Sequence, residues 1–368
     1  MRSIDAASLR RVVAATFEAA GCAQAESMRI AESLVETNLT GHDSHGVIRV
    51  PRYIAALKSG EVHPGRSITV VTENPVMAVV EGNNGFGQTI AQQATDLGIS
   101  KAASFGVSAI ALRHTAHVGR VGEWAERAAA ARLISIHFVN VPGSVLVAPF
   151  NGVDRRMSTN PITIGIPMED AAPIILDFAT STVAEGKVLV AYKGGKAIPE
   201  DALIEPDGQL SGDPALLYGL AYPGKPATVR DGNGAIRAFG DHKGSGLSFM
   251  CELLAGALSG AGAAGGDYAG ITNAMLSIYL SPAIFGDVAA FTTEVRRFAD
   301  FFTSSRPAVA GSDVLAPGEP EQRSRERRKR EGIPLEDAVW EGILQAAESC
   351  GLSRERAESI ANGLPART

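Results

Sequence analysis

Cysteine is scarce: the 368 residues include only Cys22, Cys251 and Cys350. All three stand in apolar, helix-like surroundings, and no pair has the spacing of a metal or redox motif. So sparse and odd a set excludes a disulfide framework and fits a reducing cytoplasm, with the thiols as small core residues. Positive charge is not in excess, and the net charge of -6 argues against a general binder of nucleic acid or membrane surfaces. The start, Met1-Arg2-Ser3-Ile4-Asp5, lacks the apolar centre of a signal peptide. The most apolar later run, residues 247–264, is interrupted by Glu252 and thick with glycine and alanine. It reads as a buried helix and not a membrane span.

Several signatures are also missing. There is no H-E-x-x-H and no G-x-S-x-G, which removes the usual marks of a zinc protease and a serine hydrolase. The one formal G-x-G-x-x-G, Gly260 to Gly265, follows a helix-like stretch and leads into a glycine-rich loop. A dinucleotide fingerprint needs a strand before it and a helix after it, so this segment reads as a loop.

What is present is an ordinary globular composition, 45% hydrophobic and 20% charged, on a chain long enough for two packed regions. Helical periodicity fills residues 5–38, with Leu9, Val12, Val13 and Phe17 on one face and Gly21 as a stop. From residue 68 short β-like runs alternate with helices, without strict βαβ regularity, and after about residue 292 the pattern is helical again. The fold class is therefore α/β (α+β), a mixed sheet with helices. The simplest division places residues 1–70 and 305–368 in one helical domain, with residues 71–304 inserted as the sheet domain. The basic stretch Arg323 to Arg330 is interleaved with glutamates and reads as a solvated mixed-charge helix face.

The densest chemistry lies in residues 41–53, where His42, Asp43, Ser44, His45, Arg49 and Arg52 crowd around glycines. Imidazole moves protons near neutral pH, and a guanidinium fork clamps a carboxylate. The combination suggests chemistry on a small organic acid. Two H-x-x-H pairs, His42/His45 and His114/His117, could hold zinc if helical, but Gly41, Gly46 and Gly119 argue against continuous helices there. Ser44 next to His45 suits a proton relay better than a nucleophile. Asp177 ends an apolar strand and is either a ligand group or the cap of the following helix. Ser158-Thr159-Asn160-Pro161 forms a polar turn, and His242-Lys243-Gly244-Ser245-Gly246 could bind phosphate at a helix start.

Taken together, Asp43-Ser44-His45-Gly46 with Arg49 and Tyr53, His117-Val118-Gly119, Thr159-Asn160-Pro161, Leu176-Asp177 with Ala179-Thr180-Ser181, His242-Lys243-Gly244 and Pro317-Gly318-Glu319 resemble the malate/L-lactate dehydrogenase family of type 2. The pieces fall in family order over nearly the whole chain. Arg120 to Glu126, Ser135 to Val139 and Met250-Cys251-Glu252 look most like its hydroxycarboxylate dehydrogenase B branch, while residues 217–237 look like a variable insertion.

The resemblance implies a nicotinamide-binding fold without a Rossmann domain. It also implies reversible hydride transfer between NAD or NADP and C2 of a 2-hydroxy or 2-oxo acid, in a cytoplasmic homodimer, with no metal. On residue chemistry His45, aided by Ser44, exchanges the proton, and by family match His117 lies in the same pocket as the alternative acid/base. Arg49 holds the substrate carboxylate, with Arg52 as a weaker candidate and Asn160 near substrate or nicotinamide. Leu176, Asp177, Ala179, Thr180, Ser181, His242, Lys243, Pro317, Gly318 and Glu319 line the cofactor. The competing expectations are a metal-dependent hydrolase built on the H-x-x-H pairs, a protein of this fold that only binds, and a cyclic imino-acid reductase of the same family.

Overall fold

The computed structural model describes residues 2–192, 197–220, 229–268, 270 and 272–362. Part of the 217–237 insertion, residues 221–228, lies outside the described residues.

The amphipathic first helix, Ala6–Ala19, opens on Asp5, whose carboxylate accepts the Ser8 amide at 2.9 Å, and stops before Gly21 at φ +96°. It packs on the helix Gln24–Leu39 and on the C-terminal helices Asp337–Ser349 and Arg354–Ala361. Leu9, Phe17, Leu34, Trp340, Ile343 and Leu344 meet there in one apolar cluster drawn from both ends of the chain. A two-stranded ribbon, Arg2–Ile4 against Ile333–Leu335, joins those ends. Each large apolar side chain buried in such a cluster contributes about 1.5–3 kcal/mol.

The central sheet has seven strands in the order Thr69–Glu73, Met77–Glu81, Val107–Thr115, Asn273–Leu280, Ile134–Asn140, Ile162–Ile166 and Ile174–Phe178. Only Met77–Glu81 and Val107–Thr115 run parallel; the helix Gly87–Phe105 makes the crossover that a parallel pair needs. Gly98 in mid-helix has a packing cause, because a Cβ there would run into the Tyr279 ring. The Gly260–Gly265 segment lies in turns after a π-helical turn, Glu252–Ala257, and no strand precedes it. A third apolar cluster, including Leu146, Val188, Leu203, Leu217 and Ile236, was not foreseen from the pattern; a three-stranded sheet of two-residue strands carries part of it.

Two expectations need correction. The apolar run from residue 247 is not a buried helix: Phe249, Met250, Leu253 and Leu258 are exposed. Gly244, Ser248, Cys251 and Ala255 turn inward instead, and at Gly244 a Cβ would run into the Phe239 and Thr180 carbonyls. The basic stretch is likewise not simply solvated. In the helix Glu319–Glu331, Arg325 bonds Glu36 and Glu126, and Arg328 bonds Asp43 and the Asn38 carbonyl. These arginines fasten the helix to the second N-terminal helix and the turn after it. No helix among the described residues is long and apolar enough to cross a membrane.

Candidate active site

The second helix ends at Leu39, and the chain then makes two short 3-10 turns, Asp43–His45 and Val47–Arg49, before the helix Val50–Ser59. Asn38 organises them: its Oδ1 accepts the Val47 amide at 2.8 Å and its Nδ2 donates to Asp43 at 2.6 Å. A Cβ at Gly46 would collide with that same amide, so glycine is required there. These turns direct His45 inward and His42 outward, where His42 meets Glu321 at 3.1 Å.

The other pair divides in the same way. His114 faces Glu81 at 3.0 Å, whereas His117 turns in and lies 5.5 Å from His45, ring centre to ring centre, nearly parallel. Neither pair converges on a common point, and no group of three metal-ligating side chains forms among the described residues. The zinc expectation has no support in this geometry.

Tyr53 fixes the protonation pattern of His117. Gln88 Nε2 donates to the Tyr53 hydroxyl at 3.0 Å, and that hydroxyl lies 2.6 Å from His117 Nδ1. The hydroxyl proton therefore points at Nδ1, and neutral His117 carries its own proton on Nε2. Ser44 Oγ lies 2.9 Å from His45 Nδ1. Burial, Arg49 and Arg52 push His117 down to about 3. Burial, then Arg49 and His117, hold His45 well below the usual imidazole range. Burial raises Tyr53 to about 12, so its hydroxyl stays protonated.

Arg49 donates through Nε to the Ser44 carbonyl at 2.7 Å, and its fork lies 3.9 Å from Glu185. Arg52 lines a small cavity together with Tyr53, Glu61, Gln88 and His117. Glu185 opens the helix Glu185–Tyr192, which packs so closely on Ser44 that a Cβ at Gly186 would sit 2.6 Å from it. Burial opposes its charge, yet Arg230 at 2.9 Å, Arg49 and the Tyr218 hydroxyl at 2.6 Å outweigh that and hold it at about 2. Gln88, Glu185, Tyr218 and Arg230 were missed in the sequence. No local pattern marks them, since each reaches the site only through tertiary contact.

The remaining candidates gather elsewhere. Asp177 accepts the Gly122 amide at 2.8 Å and the Thr163 hydroxyl at 2.7 Å, so it caps the helix Gly122–Ala130 rather than the helix that follows it. Its neighbour Leu176 is partly exposed, and the Ile175 amide bonds the Pro317 carbonyl, which brings Gly318 against this strand. Glu319 turns back to accept the Ala316 amide at 2.7 Å. Asp177 and Gly318, with Arg120, Glu321, Gln322 and Arg325, line a cleft of about 470 Å³. Ala179 connects this strand to Thr180 and Ser181, which lie beside residues 238–239 and the start of the helix His242–Cys251. There His242 meets the Phe150 ring and Lys243 is exposed. Asn160 is fully buried on Ser248 and Glu252, and no hydrogen bond among the described residues joins it to Arg49 or Arg52.

Beside the mixed sheet, two half-buried imidazoles face each other next to arginines, a set suited to proton transfer on an anionic small molecule. The model of the family described as malate/L-lactate dehydrogenase matches residues 4–344, and the chain belongs to that family. It is 35% identical over 365 residues to hydroxycarboxylate dehydrogenase B of Escherichia coli, covering 98% of each chain. Among solved structures it is similar to sulfolactate dehydrogenase from Methanocaldococcus jannaschii, with TM-score 0.83 and 30% identity over 96% of this chain and 99% of that one. It is also similar to delta1-piperideine-2-carboxylate reductase from Pseudomonas syringae, with TM-score 0.77 and 26% identity over 94% and 100%. Family and relatives together make it an oxidoreductase of the hydroxyacid dehydrogenase kind.

Proposed function

We propose that the protein transfers hydride reversibly between NAD or NADP and C2 of a small 2-hydroxy or 2-oxo acid. The observation that carries this reading is the His45–His117 pair, 5.5 Å apart, with Arg49 and Arg52 beside it. The nicotinamide, when bound, supplies the hydride. His117, once it has taken up a second proton, offers its Nε2 proton to the substrate carbonyl oxygen, is left as the neutral imidazole, and takes the proton back in oxidation. His45, supported by Ser44, is the second donor to the same oxygen. Arg49 and Arg52 hold the carboxylate. The same arginines depress His117 in the empty site, so a bound carboxylate offsets them and raises its proton affinity when the proton is needed.

The cofactor's adenosine half fits the 470 Å³ cleft at Asp177 and Gly318, within the usual range for ligand sites. Leu176, Ala179, Thr180, Ser181, His242, Lys243, Pro317 and Glu319 border its path to the histidines. Unpartnered buried oxygens on Asn140 and Asn160 fit a bound group that brings donors. Lys243 would meet either a pyrophosphate or the extra phosphate of NADP. With one parallel strand pair and no strand–turn–helix around Gly260–Gly265, we read the cofactor fold as non-Rossmann and the chain as a helical domain built from both termini around a sheet domain. The exposed Phe298, Phe301 and Phe302 of the helix Val288–Thr303 support a homodimer, which sedimentation would test. A cytoplasmic location follows from the same reading.

The test is loss of reduced-nicotinamide absorbance, with NADH and NADPH in parallel against pyruvate, oxaloacetate, hydroxypyruvate, phenylpyruvate and a cyclic imino acid. Turnover of one oxo acid supports the proposal and fixes cofactor and substrate size. Turnover of the imino acid alone moves the assignment to a C=N reductase. Silence across the panel removes it.

A further inference from the structure

Along one edge of the central sheet, Thr115, Asn273, Asn140, Asn160 and Thr180 form a row of polar side chains, each at most 1% exposed. Thr115 pairs with Asn273, and Asn140 with Ala274. Asn140 and Asn160 each stand two residues past the paired Phe138 and Ile162, and Thr180 two past Phe178, the other partner of Ile162. The row begins at the histidine site: Asn273 Oδ1 accepts the amide of Val118, the residue after His117, at 2.9 Å, and its Nδ2 donates to the Asn140 carbonyl at 3.3 Å. It ends where Thr180 donates to the Asn160 carbonyl at 3.0 Å.

Glu252 lies across the middle of this row, 5% exposed. One of its oxygens accepts Asn160 Nδ2 at 2.7 Å; the other accepts Asn140 Nδ2 at 3.1 Å and the Ala264 amide at 2.9 Å. Turning either asparagine amide over would place its oxygen against a carboxyl oxygen, and also against the Gly262 carbonyl for Asn140 or the Ser248 carbonyl for Asn160, so Glu252 and these carbonyls together fix the polarity of both. A consequence is visible nearby: Asn160 Oδ1, Asn140 Oδ1 and Thr115 Oγ1 are all buried with no hydrogen-bond partner. An acceptor locked in place requires a donor, and a buried one without it is unfavourable.

Of the two ligands that the dehydrogenase reading requires, a 2-oxo acid brings no such donor. Ribose hydroxyls rotate to donate or accept and would not need a fixed polarity. A carboxamide N–H does, and the locked acceptors stand in the row that begins beside His117. We propose that Glu252 is a positioning residue for the cofactor: it pins Asn160 so that Oδ1 is the acceptor for the nicotinamide carboxamide. This rests on the function proposed above. The glycine loop Gly260–Gly265 then serves as a strap, held to the row by the Gly262 carbonyl on Asn140 and the Ala264 amide on Glu252.

Calorimetric titration with NADH, reduced 3-acetylpyridine adenine dinucleotide and ADP-ribose tests it. The acetyl analogue keeps the carbonyl but lacks the N–H. The wild-type protein should bind NADH about tenfold more tightly than the analogue, the worth of one hydrogen bond. In Glu252→Gln a donor faces Asn160, whose amide turns over and presents NH2, so the preference should fall to parity or reverse. The pair Glu252→Gln with Asn160→Asp restores an acceptor and should restore the preference, with ADP-ribose binding unchanged throughout. Equal wild-type binding of the two dinucleotides overturns the assignment without any variant, as does an undiminished preference in Glu252→Gln. If the wild-type protein binds none of the three ligands, the dehydrogenase reading itself fails.

Discussion

The two H-x-x-H segments share a spacing and divide the same way, yet their members have opposite fates. His42 and His114 face outward onto Glu321 and Glu81, with side chains 30% and 42% exposed. His45 and His117 turn inward, meet each other, and lose proton affinity to burial and to the arginines. Spacing alone would allow a shared metal on helices; the chain geometry instead brings the inner member of each pair face to face. Residues three positions apart in sequence need not face one another, and residues 72 positions apart can.

Removing the inner histidines should have the largest effect. His117→Ala and His45→Ala should each lower turnover by about two to four orders of magnitude, the range of a lost general acid. The larger loss should fall on His117, whose proton position is fixed by Tyr53. Steady-state kinetics decide this, and undiminished turnover in either variant removes that histidine from the mechanism. His42→Gln and His114→Gln should change turnover less than about threefold, because neither reaches the cavity; a loss matching the inner pair would break the comparison.

Next in size is Arg49→Met, expected to raise KM for the acid about a hundredfold with a smaller change in kcat, since a charge-assisted bond is worth about 1.5–3 kcal/mol. If KM rises more in Arg52→Met, the clamp belongs to the arginine that lines the cavity.

A pH experiment separates burial from chemistry. His137, buried between Ser135 and Ser277, is pushed by burial to about 3 and plays no part in the site. Its folded-state pKa lies below the unfolded value, so the folded form binds fewer protons. The stability this contributes is complete above about pH 6.5 and is lost as pH falls toward 3, by about 1.4 kcal/mol per pH unit per proton. Thermal unfolding between pH 7 and pH 5 should show a shallower decline in His137→Gln than in the wild-type protein. An identical slope would mean that His137 is protonated in the folded state.

The smallest effect should come from Glu321→Gln. It weakens the half-exposed contact to His42 and should cost less than about 1 kcal/mol in denaturant unfolding, with no change in KM for the acid.

Much of the fold was legible because its periodicities are local. The first two helices and the C-terminal helices lie in the stretches where helical spacing puts them, residues 5–38 and beyond about 292. The run from residue 247 was misjudged because composition does not say which face of an apolar helix finds a partner. Asp177 could be recognised as a capping residue, but not that it caps a helix 55 positions earlier in the chain. Glu185 carries no motif, and Met250-Cys251-Glu252 marked a branch of the family but not what Glu252 would touch: one glutamate opens a helix, the other starts a π-helical turn, and their partners come from distant strands and loops.

By itself the sequence determined the mixed α/β class, the dense histidine–arginine turn and the family, because these rest on local residue order and spacing. The tertiary structure alone decided which histidine of each pair meets the other, which carboxylate neutralises which arginine, and which amides Glu252 holds. Those outcomes depend on burial and on hydrogen bonds between groups tens to hundreds of residues apart, where electrostatic strength is set by what surrounds a group and not by its neighbours in sequence.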